Sequence, residues 1–364
     1  LLPAFKAMKE SGARHVHYKV CSTFDSSPKV GSIGKAIDCG ATVFPQHFVP
    51  VLGGMPALGR YCLFGNLFAR MGIGSNGAIY RLDRHPSMSR HPVTPAHESD
   101  LLLHLAAQTK KQLGLINITD IEKDVQCWQK TIQQGDEVVL LDVLNEAQLT
   151  KIGHWLDASV KNNEPLFSVG SSGIEMALGN YWNAAGMLHS QTTWPPLKKA
   201  VPLLVVSGSC SPVTAAQISY AIAHGFEEVV LDAKQASAGA LTIHATVEKL
   251  IQCLQQQKSV VLHTGIKNDE NLSSDKLGTA LGIIAKEAVE KTGIRRVVIA
   301  GGDTSSYAAR AMEIESLEMK APFFSGAPVC SVHSKNIRLQ GLELNLKGGQ
   351  VGGETYFIKA ANGG

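Results

Sequence analysis

Short apolar runs alternate along the chain with longer segments in which apolar residues recur every three or four positions. In the first half we predict strands at residues 15–20, 41–48, 113–117, 136–143 and 165–169. Helical spacing is clearest over 145–160, where Leu149, Ile152 and Trp155 share one face. Further helices are predicted over 97–109, over 120–135 and after residue 172.

The alternation is more regular in the second half. Strands are predicted at 201–207, 227–233, 258–265 and 295–302, and a helical segment follows each of them. Apolar, β-branched strands separated by helices favour a parallel sheet covered on both faces. Residues 69–95, rich in glycine, proline and arginine, are predicted to form a loop or hairpin. The predicted fold class is therefore α/β, with a mainly parallel sheet flanked by helices in each half.

A break in the periodicity divides the chain into two predicted domains. Residues 184–200 contain a proline pair and a polar stretch, and no regular spacing continues through them. A length of 364 residues also fits two domains. We therefore predict one domain over 1–184, a linker over 185–200 and a second domain over 201–364.

Composition and charge argue against several classes of protein. The net charge is only +3 and no run of lysine or arginine occurs, so we expect no nucleic-acid partner. No apolar stretch has the length of a membrane span. The seven cysteines are scattered, and no C-x-x-C pair occurs. That usage favours a reduced, cytoplasmic compartment and argues against a structural zinc site or a disulfide framework.

The first residues, LLPAFKAM, lack an initiator methionine and already show helical spacing. They also lack the basic start and cleavage site of a signal peptide. We therefore expect the chain to begin one or more elements late, with functional residues upstream of it.

Three turns rich in glycine and small polar residues follow the apolar runs of the second half. They are centred on GSCS (208–211), GGDT (301–304) and KGG (347–349). Taken singly, each turn is better explained as a tight turn or a helix cap. Taken together they favour phosphate, because amides at helix N-termini attract anions and glycine allows a close approach. Neither the Walker A pattern nor G-x-G-x-x-G is present, so the class of nucleotide or phosphate site stays open.

The segments GSCSPVTAAQI, VVIAGGDTS and LELNLKGGQVGGETYF, in this order and spacing, resemble the nucleotide-binding domain of the four-carbon acid sugar kinases. The resemblance covers nearly the whole chain. It implies ATP as the cofactor and an active site in the cleft between two domains. It also implies an ATP site formed by Ser209, Ser211, Gly301, Gly302, Asp303, Thr304, Lys347, Gly348 and Gly349.

In the first half the same resemblance implies a site for a small-molecule acid sugar. The family's Lys-x-Asp-Ser-Thr-Leu-Arg-Gly-Asn stretch corresponds to KVCSTFDSSP, which retains Lys19, Ser22 and Thr23 as the implied substrate-binding residues. Cys21 stands where the family has Asp, and Phe24–Asp25 stands where it has Leu-Arg. The chain therefore lacks the arginine that binds the substrate carboxylate in the family.

Several residues are candidates to replace that arginine or to complete the sugar site. The candidate cations are Lys29, Arg81, Arg84 and Arg90. The loop over the sugar is represented by His91, Pro92, Val93 and Thr94. A further turn on the sugar side is VGSSG at 169–173. The Asp-Asp-x-Thr-Gly motif with which the family begins is absent, and we expect the catalytic base in that upstream segment.

The resemblance implies an ATP-dependent kinase that phosphorylates a hydroxyl of a four-carbon or branched acid sugar, or of its 3-oxo form. Such a reaction depends on positioning and on Mg²⁺ bridging the phosphates rather than on covalent help. Asp303 is a candidate for orienting the metal or the nucleotide, and helix capping is its alternative role. We also consider a homodimer.

Two other functions stay open. One is a non-catalytic sensor of a nucleotide or a phosphorylated metabolite, in which the altered CSTFDSSP stretch reflects lost catalysis. The other is an oxidoreductase, against which the missing G-x-G-x-x-G counts. The histidines match no zinc signature, so no metal-binding side chain is predicted. Cys210 has no evident histidine partner, which favours a packing role over that of a nucleophile.

Overall fold

The structure is a computed structural model. It describes residues 1–72, 77–91, 93–132, 135–161, 164–232, 240–265 and 273–364, except for the side chains of 240–242. The described chain divides into two compact units, one of Leu1–Met71 with Gly77–Ser190 and the other mainly of Gln191–Gly364. Pro92, named above for the sugar-side loop, lies outside the described residues.

The helices and strands of the first unit follow one another along the chain as α1 (Leu2–Glu10), β1 (His15–Lys19), α2 (Ile33–Val43), β2 (Val49–Leu52), β3 (Arg60–Leu63), β4 (Asn66–Arg70), β5 (Ile79–Arg81), α3 (Leu101–Ala106), β6 (Leu113–Ile116), α4 (Ile118–Ile121), α5 (Val125–Thr131), β7 (Val138–Leu141), α6 (Glu146–Ala158), β8 (Leu166–Gly170) and α7 (Gly173–Ala184). Five of the strands form a parallel sheet in the order β1-β8-β2-β7-β6.

Helices cover both faces of this sheet because its strands are apolar on both sides. On one face Val51, Leu140 and Val169 pack against α1, α2 and α3. On the other face Leu52, Leu141 and Leu166 pack against α5, α6 and α7. Both layers are almost fully buried, and burial of this apolar surface is the main force that holds the unit together.

A small antiparallel sheet, β3-β4-β5, is inserted in the chain between β2 and α3. The sequence predicts a loop or hairpin over 69–95, and β4 and β5 form a hairpin there. β2, β3 and the start of β4 were not predicted. Pro50 lies inside β2, a central strand, and proline ordinarily argues against that assignment.

Two sequence predictions in this unit are wrong. The strand predicted at 41–48 is the last turn of α2 followed by a loop, because Pro45 prevents the helix from continuing and the next strand starts only at Val49. The single helix predicted over 120–135 is two short helices. Asp124 separates them, since its carboxylate accepts a hydrogen bond from the Gln126 amide and caps the second helix.

The second unit contains, in chain order, β9 (Leu204–Ser207), α8 (Pro212–Ala223), β10 (Glu227–Val230), α9 (Ala240–Gln255), β11 (Val260–His263), α10 (Ser274–Thr292), β12 (Arg296–Ala300), α11 (Gly302–Ala311), β13 (Ser316–Phe324), β14 (Ala327–His333), β15 (Glu343–Lys347) and α12 (Tyr356–Asn362). Its sheet has the order β10-β11-β9-β12-β15-β14-β13. The first five strands in that order are parallel, whereas β14 and β13 are antiparallel to their neighbours.

The core of the second unit also has two layers. Leu204, Val206 and Ile299 face α9, α10 and α11, while Val205, Val298 and Ala300 face α8 and α12. The predicted α/β class, with a mainly parallel sheet in each half, is therefore confirmed. Within the described ranges, no helix has both the length and the apolar character needed to cross a membrane.

The hairpin of β13 and β14 was not predicted. β13 forms one edge of the sheet, and most of its side chains are exposed, including those of Leu317 and Met319. An edge strand of this kind lacks the continuous apolar run by which the buried strands are recognised.

Candidate functional site

The three turns that the sequence places at a phosphate site lie side by side. They follow β9, β12 and β15, which are adjacent parallel strands, so their carboxyl ends meet at one edge of the sheet. Backbone hydrogen bonds also join the turns: the Gly208 amide donates to the Ala300 carbonyl at 3.3 Å and the Gly301 amide donates to the Lys347 carbonyl at 2.9 Å. This edge is where ligands bind in open parallel sheets.

Glycine is required where these turns contact one another. A Cβ on Gly208 would lie 2.5 Å from Thr304 Oγ1, and a Cβ on Gly349 would lie 2.8 Å from Ser209 Oγ and 3.0 Å from Ser211 Cβ. Real Cβ atoms do not approach that closely without displacing a neighbour. The turns are therefore packed so tightly that their backbones, rather than their side chains, form much of the surface.

Two helices begin at these turns and point their N-termini toward the strand ends. α8 is capped by Ser211, whose Oγ accepts a hydrogen bond from the Val213 amide at 3.2 Å. α11 has Gly301 at its N-cap, with φ +120°, and no side chain caps it. Its first amides are therefore available to an anion, which the helix dipole also favours.

Asp303 does not cap α11, although capping was one of its two expected roles. Its carboxylate lies exposed in the first turn of the helix and, within the described part of the chain, makes no hydrogen bond or ion pair. It is therefore available to a ligand, and at Gly302 beside it a Cβ would have no neighbouring atom within 4 Å.

Lys347 is buried rather than exposed. It is 1% exposed, and its Nζ donates to Thr214 Oγ1 at 3.0 Å. The ammonium also lies 5.5 Å from the ring centre of Tyr356 and 5.9 Å from that of Phe357. Burial lowers the pKa of Lys347 to about 7. Among the described residues the Thr214 hydroxyl is the one oxygen partner of this buried amine. The ammonium is therefore poorly compensated as a cation, and an anion nearby would stabilise its charged form.

Two residues that the sequence analysis did not select hold the third turn in place. Thr214 Oγ1 donates to the Gly349 carbonyl at 2.9 Å. Gln217 Nε2 donates to the carbonyls of Val351, Gly352 and Gly353 at 2.9–3.1 Å. Both lie in α8, within the GSCSPVTAAQI segment, but their partners are more than 130 positions away, so no local pattern indicates these contacts.

The turn after β1 carries the residues expected at the sugar site. Lys19 is exposed and its Nζ donates to the Val20 carbonyl at 3.1 Å. Thr23 is buried, with Oγ1 3.0 Å from Cys21 Sγ, and Ser22 is half-buried. The 169–173 turn lies on the neighbouring strand β8, where Ser171 Oγ donates to the Gly54 carbonyl at 3.2 Å. The structure thus brings these residues to the carboxyl ends of β1, β8 and β2.

The residues considered above as replacements for the missing arginine differ in whether their charged groups are free to bind a substrate. All four candidates, Lys29, Arg81, Arg84 and Arg90, are exposed. Arg81 donates through Nε and Nη2 to the two carboxylate oxygens of Asp83, both at 2.7 Å. This edge of its guanidinium is therefore already paired with a carboxylate. In the sugar-side loop, His91 Nδ1 accepts a hydrogen bond from the Thr94 amide at 3.1 Å, and Val93 is exposed.

Among the described residues no group of three or more His, Cys, Asp and Glu could hold a metal ion. Cys210 is half-buried, and burial raises the pKa of its thiol, which is the opposite of what a nucleophile at a helix N-terminus needs.

Comparison with known proteins identifies both halves of the chain. Residues 1–178 match the sugar-binding N-terminal domain family and residues 204–357 match the nucleotide-binding C-terminal domain family. A 3-oxo-isoapionate kinase of Paraburkholderia graminis is 40% identical over 95% of this chain and 77% of its own length. A 3-oxo-tetronate kinase of Pseudomonas fluorescens is 28% identical over 99% of this chain and 81% of its own.

Solved structures show the same fold. A Salmonella typhimurium protein described as a putative tRNA synthase superposes with a TM-score of 0.69 at 25% identity, covering 97% of this chain and 82% of that one. A Haemophilus influenzae protein of the DUF1537 family superposes with a TM-score of 0.65 at 23% identity, covering 99% and 84%.

These matches confirm the kinase interpretation over the sensor and the oxidoreductase, and they confirm the use of ATP. The chain belongs to the four-carbon acid sugar kinase family, and it is a carbohydrate kinase acting on small acid sugars.

Proposed function

We propose that this kinase phosphorylates a hydroxyl of 3-oxo-isoapionate, or of a closely related branched 3-oxo acid sugar. The observation that carries the proposal is the 40% identity to a 3-oxo-isoapionate kinase, against 24–28% for the 3-oxo-tetronate kinases. The altered CSTFDSSP stretch also supports a substrate other than the family's unbranched acids. The described fold supports acid-sugar binding by residues 1–184 and nucleotide binding by residues 201–364.

The turns after β9, β12 and β15 are proposed to hold the ATP phosphates. The amides of Gly302, Asp303 and Thr304 would donate to phosphate oxygens at the uncapped N-terminus of α11. Ser209 and Ser211 would add hydroxyl donors from the first turn. Gly348 and Gly349 would supply a close backbone approach from the third turn, with Lys347 as the buried positive charge beneath it.

Mg²⁺ is proposed to bind mainly to the phosphates. Magnesium in phosphoryl-transfer sites needs only one or two carboxylates, because it keeps several waters. Asp303 is the proposed carboxylate, since it is exposed beside the first amides of α11 and has no partner within the described ranges. The charge of the metal and of Lys347 would offset the charge that develops on the transferred phosphoryl group.

The sugar is proposed to bind at the turn after β1. Ser22 and Thr23 would donate to its hydroxyls, and Lys19 would contact its carboxylate or the incoming phosphoryl group. These groups bind and orient the substrate, and holding a hydroxyl in line with the phosphoryl group supplies much of the rate enhancement in this reaction. The seven cysteines, all within the described residues, form no disulfide, which supports a cytoplasmic kinase.

The substrate assignment predicts a preference that can be measured. With Mg-ATP, kcat/KM for 3-oxo-isoapionate is expected to exceed that for 3-oxo-tetronate by about tenfold or more, because a pocket shaped for a branch binds the smaller acid less well. ADP release gives both values, with threonate as a control that lacks the 3-oxo group. Equal values, or a preference for 3-oxo-tetronate, would contradict the assignment.

The glycine pair at 301–302 predicts two different defects. Gly301→Ala is expected to lower the melting temperature, since φ +120° strains any residue with a Cβ by about 1–3 kcal/mol. Gly302→Ala should leave the melting temperature unchanged, since the added Cβ would have no neighbouring atom within 4 Å. It should nevertheless weaken ATP binding about tenfold, because the methyl group would occupy the space through which a phosphate approaches the amide.

Thermal unfolding without ligand and calorimetric titration with ATP separate these two effects. If Gly302→Ala binds ATP like the wild type, close approach at Gly302 is not part of the site. If Gly301→Ala melts like the wild type, the strain at its φ is not a constraint on that turn.

A further inference from the structure

Phe24 holds a strained backbone conformation in the turn after β1. Its φ is +54°, in the left-handed region that bulky residues rarely adopt, and its side chain is 2% exposed. Such a conformation persists only where the surrounding structure enforces it, and it is found most often at functional sites. Phe24 comes directly after Ser22 and Thr23, so whatever fixes its backbone also fixes the two hydroxyls proposed to meet the sugar.

The hydroxyl of Ser26 holds the Phe24 carbonyl in place. Ser26 is buried, and its Oγ donates to that carbonyl at 3.0 Å. Two further groups contact the same Oγ: Nε2 of His104 lies 2.7 Å from it, and Nε2 of Gln108 donates to it at 3.1 Å. A hydroxyl has one proton and two lone pairs. Because its proton is directed at the Phe24 carbonyl, both of these nitrogens must act as donors.

This hydrogen-bond pattern sets the tautomer of His104. Burial lowers the pKa of His104, and the carboxylate of Glu98 opposes that shift only in part. The imidazole is therefore neutral at pH 7 and carries a single proton, which must lie on Nε2 to reach Ser26. His104 thus donates to the hydroxyl that holds the turn, and it does so from α3, 78 positions further along the chain.

Gln108 links the same hydroxyl to a second helix. It lies just beyond α3, and its Oε1 accepts hydrogen bonds from the amides of Ile33 at 2.8 Å and of Gly34 at 3.3 Å, in the first turn of α2. The contact is close, because a Cβ on Gly34 would lie 2.6 Å from the Cβ of Gln108. The position of the Ser26 hydroxyl is therefore set by α2 and α3 and not by the turn alone.

We propose that His104 is a positioning residue for the acid-sugar substrate. Acting through the Ser26 hydroxyl, it holds Phe24 in the left-handed conformation that places Ser22 and Thr23 at the carboxyl end of β1. The inference rests on the proposed sugar site at this turn, and it adds a residue that acts on the sugar through the turn. Hydroxyl donors fixed before the sugar arrives bind it more tightly, because less freedom of motion is lost on binding.

Steady-state kinetics separate this role from a general loss of folded protein. Unfolding of part of the sample lowers the apparent kcat and leaves both KM values unchanged, because the molecules that stay folded bind normally. A displaced sugar turn instead raises KM for the acid sugar and leaves KM for ATP unchanged. ADP release measures all three quantities, with whichever of 3-oxo-isoapionate and 3-oxo-tetronate the wild type turns over faster.

His104→Met is expected to raise KM for the acid sugar about tenfold, because it removes the donor to Ser26. His104→Gln should stay within about twofold of the wild type, since its amide nitrogen replaces Nε2 as the donor. Ser26→Ala should also raise this KM about tenfold. Adding His104→Met to Ser26→Ala should then have no further effect, because His104 acts through that hydroxyl.

Ser159→Ala is the matched control for Ser26→Ala. Ser159 lies in the same unit, at the end of α6, and its Oγ likewise donates to a backbone carbonyl, that of Trp155, at 2.7 Å. His154→Met is the control for His104→Met, because His154 is an exposed histidine of α6. Both controls should have the KM values of the wild type.

Ser22→Ala distinguishes a failure of the inference from a failure of the proposed site. If Ser22→Ala raises KM for the acid sugar and His104→Met does not, the positioning role is overturned and the site stands. If neither variant raises it, the proposed site is wrong and the inference falls with it. A His104→Gln protein as defective as His104→Met would overturn the positioning role, as would a double variant with a much higher KM than Ser26→Ala.

Discussion

Lys347→Met is expected to lower kcat/KM by about a hundredfold or more while leaving the protein at least as stable as the wild type at neutral pH. Loss of activity follows if Lys347 supplies the buried positive charge beneath the phosphate site. Stability should not fall, because within the described segments the amine has one oxygen partner, Thr214, and otherwise lies against the rings of Tyr356 and Phe357. Methionine has a similar length and packs well against aromatic rings.

Steady-state ADP release and thermal unfolding at pH 7 measure the two effects on the same sample. Lys359→Met is the matched control, because Lys359 is an exposed lysine of α12 in the same unit. It should retain wild-type activity. Activity within a few-fold of the wild type in Lys347→Met would exclude Lys347 from the phosphate site. A large fall in melting temperature would show that the lysine is needed for folding.

The pH dependence of Lys347 has a defined sign. Its pKa is about 7 in the folded protein and near 10.5 ordinarily, so between these values the unfolded chain binds more protons. The free energy of unfolding should therefore rise with pH across this window in the wild type, and that contribution should be absent in Lys347→Met. ATP binding favours the protonated amine, so affinity should weaken as pH rises above about 7.

Glu343→Gln is expected to destabilise the second unit by about 3–5 kcal/mol, because it leaves the buried Arg296 without its counter-charge. Arg296 is 0% exposed, and its Nε donates to Glu343 Oε2 at 2.8 Å. Its other nitrogens donate to the carbonyls of Ala360 and Lys198, so the same side chain joins β12, β15, α12 and the segment before β9. A fall of about 10 °C in the melting temperature would correspond to this loss.

Two control variants test whether burial causes this effect. Glu227→Gln removes one charge of an exposed pair, in which Lys258 Nζ lies 2.7 Å from Glu227, and should leave the melting temperature nearly unchanged. The double change Arg296→Met with Glu343→Leu should recover most of the lost stability, since an apolar pair can replace a buried ion pair. If Glu343→Gln has the same melting temperature as the wild type, the ion pair contributes little to the stability of the folded unit.

The sequence predicted those parts of the fold that are determined locally. Continuous apolar runs such as 138–141 and 296–300 became central strands, because a strand buried on both faces has no polar side. The strand β2 was missed because Pro50 lies within it, and β13 because its exposed edge position leaves no apolar run. In both cases tertiary context overrides the local signal.

The features of the candidate site likewise fall into two groups: those that local sequence indicates and those that only tertiary packing produces. The turns at 208–211, 301–304 and 347–349 could be predicted because each has its own glycine and small polar residues, and the sheet order brings them together. The burial of Lys347 could not be predicted, since it depends on packing between distant segments. The contacts of Gln217 with the third turn have the same origin.

The hydrogen bonds that join the three turns have a consequence for the thermodynamics of ligand binding. The amides of Gly208 and Gly301 continue the ladder of the sheet beyond the ends of the strands, on three neighbouring strands in its interior. The backbone of the proposed phosphate site is thus preorganised, so a nucleotide bound there would lose its own freedom of motion while the backbone would lose little. We therefore expect nucleotide affinity to be limited by desolvation of the phosphates more than by ordering of the protein.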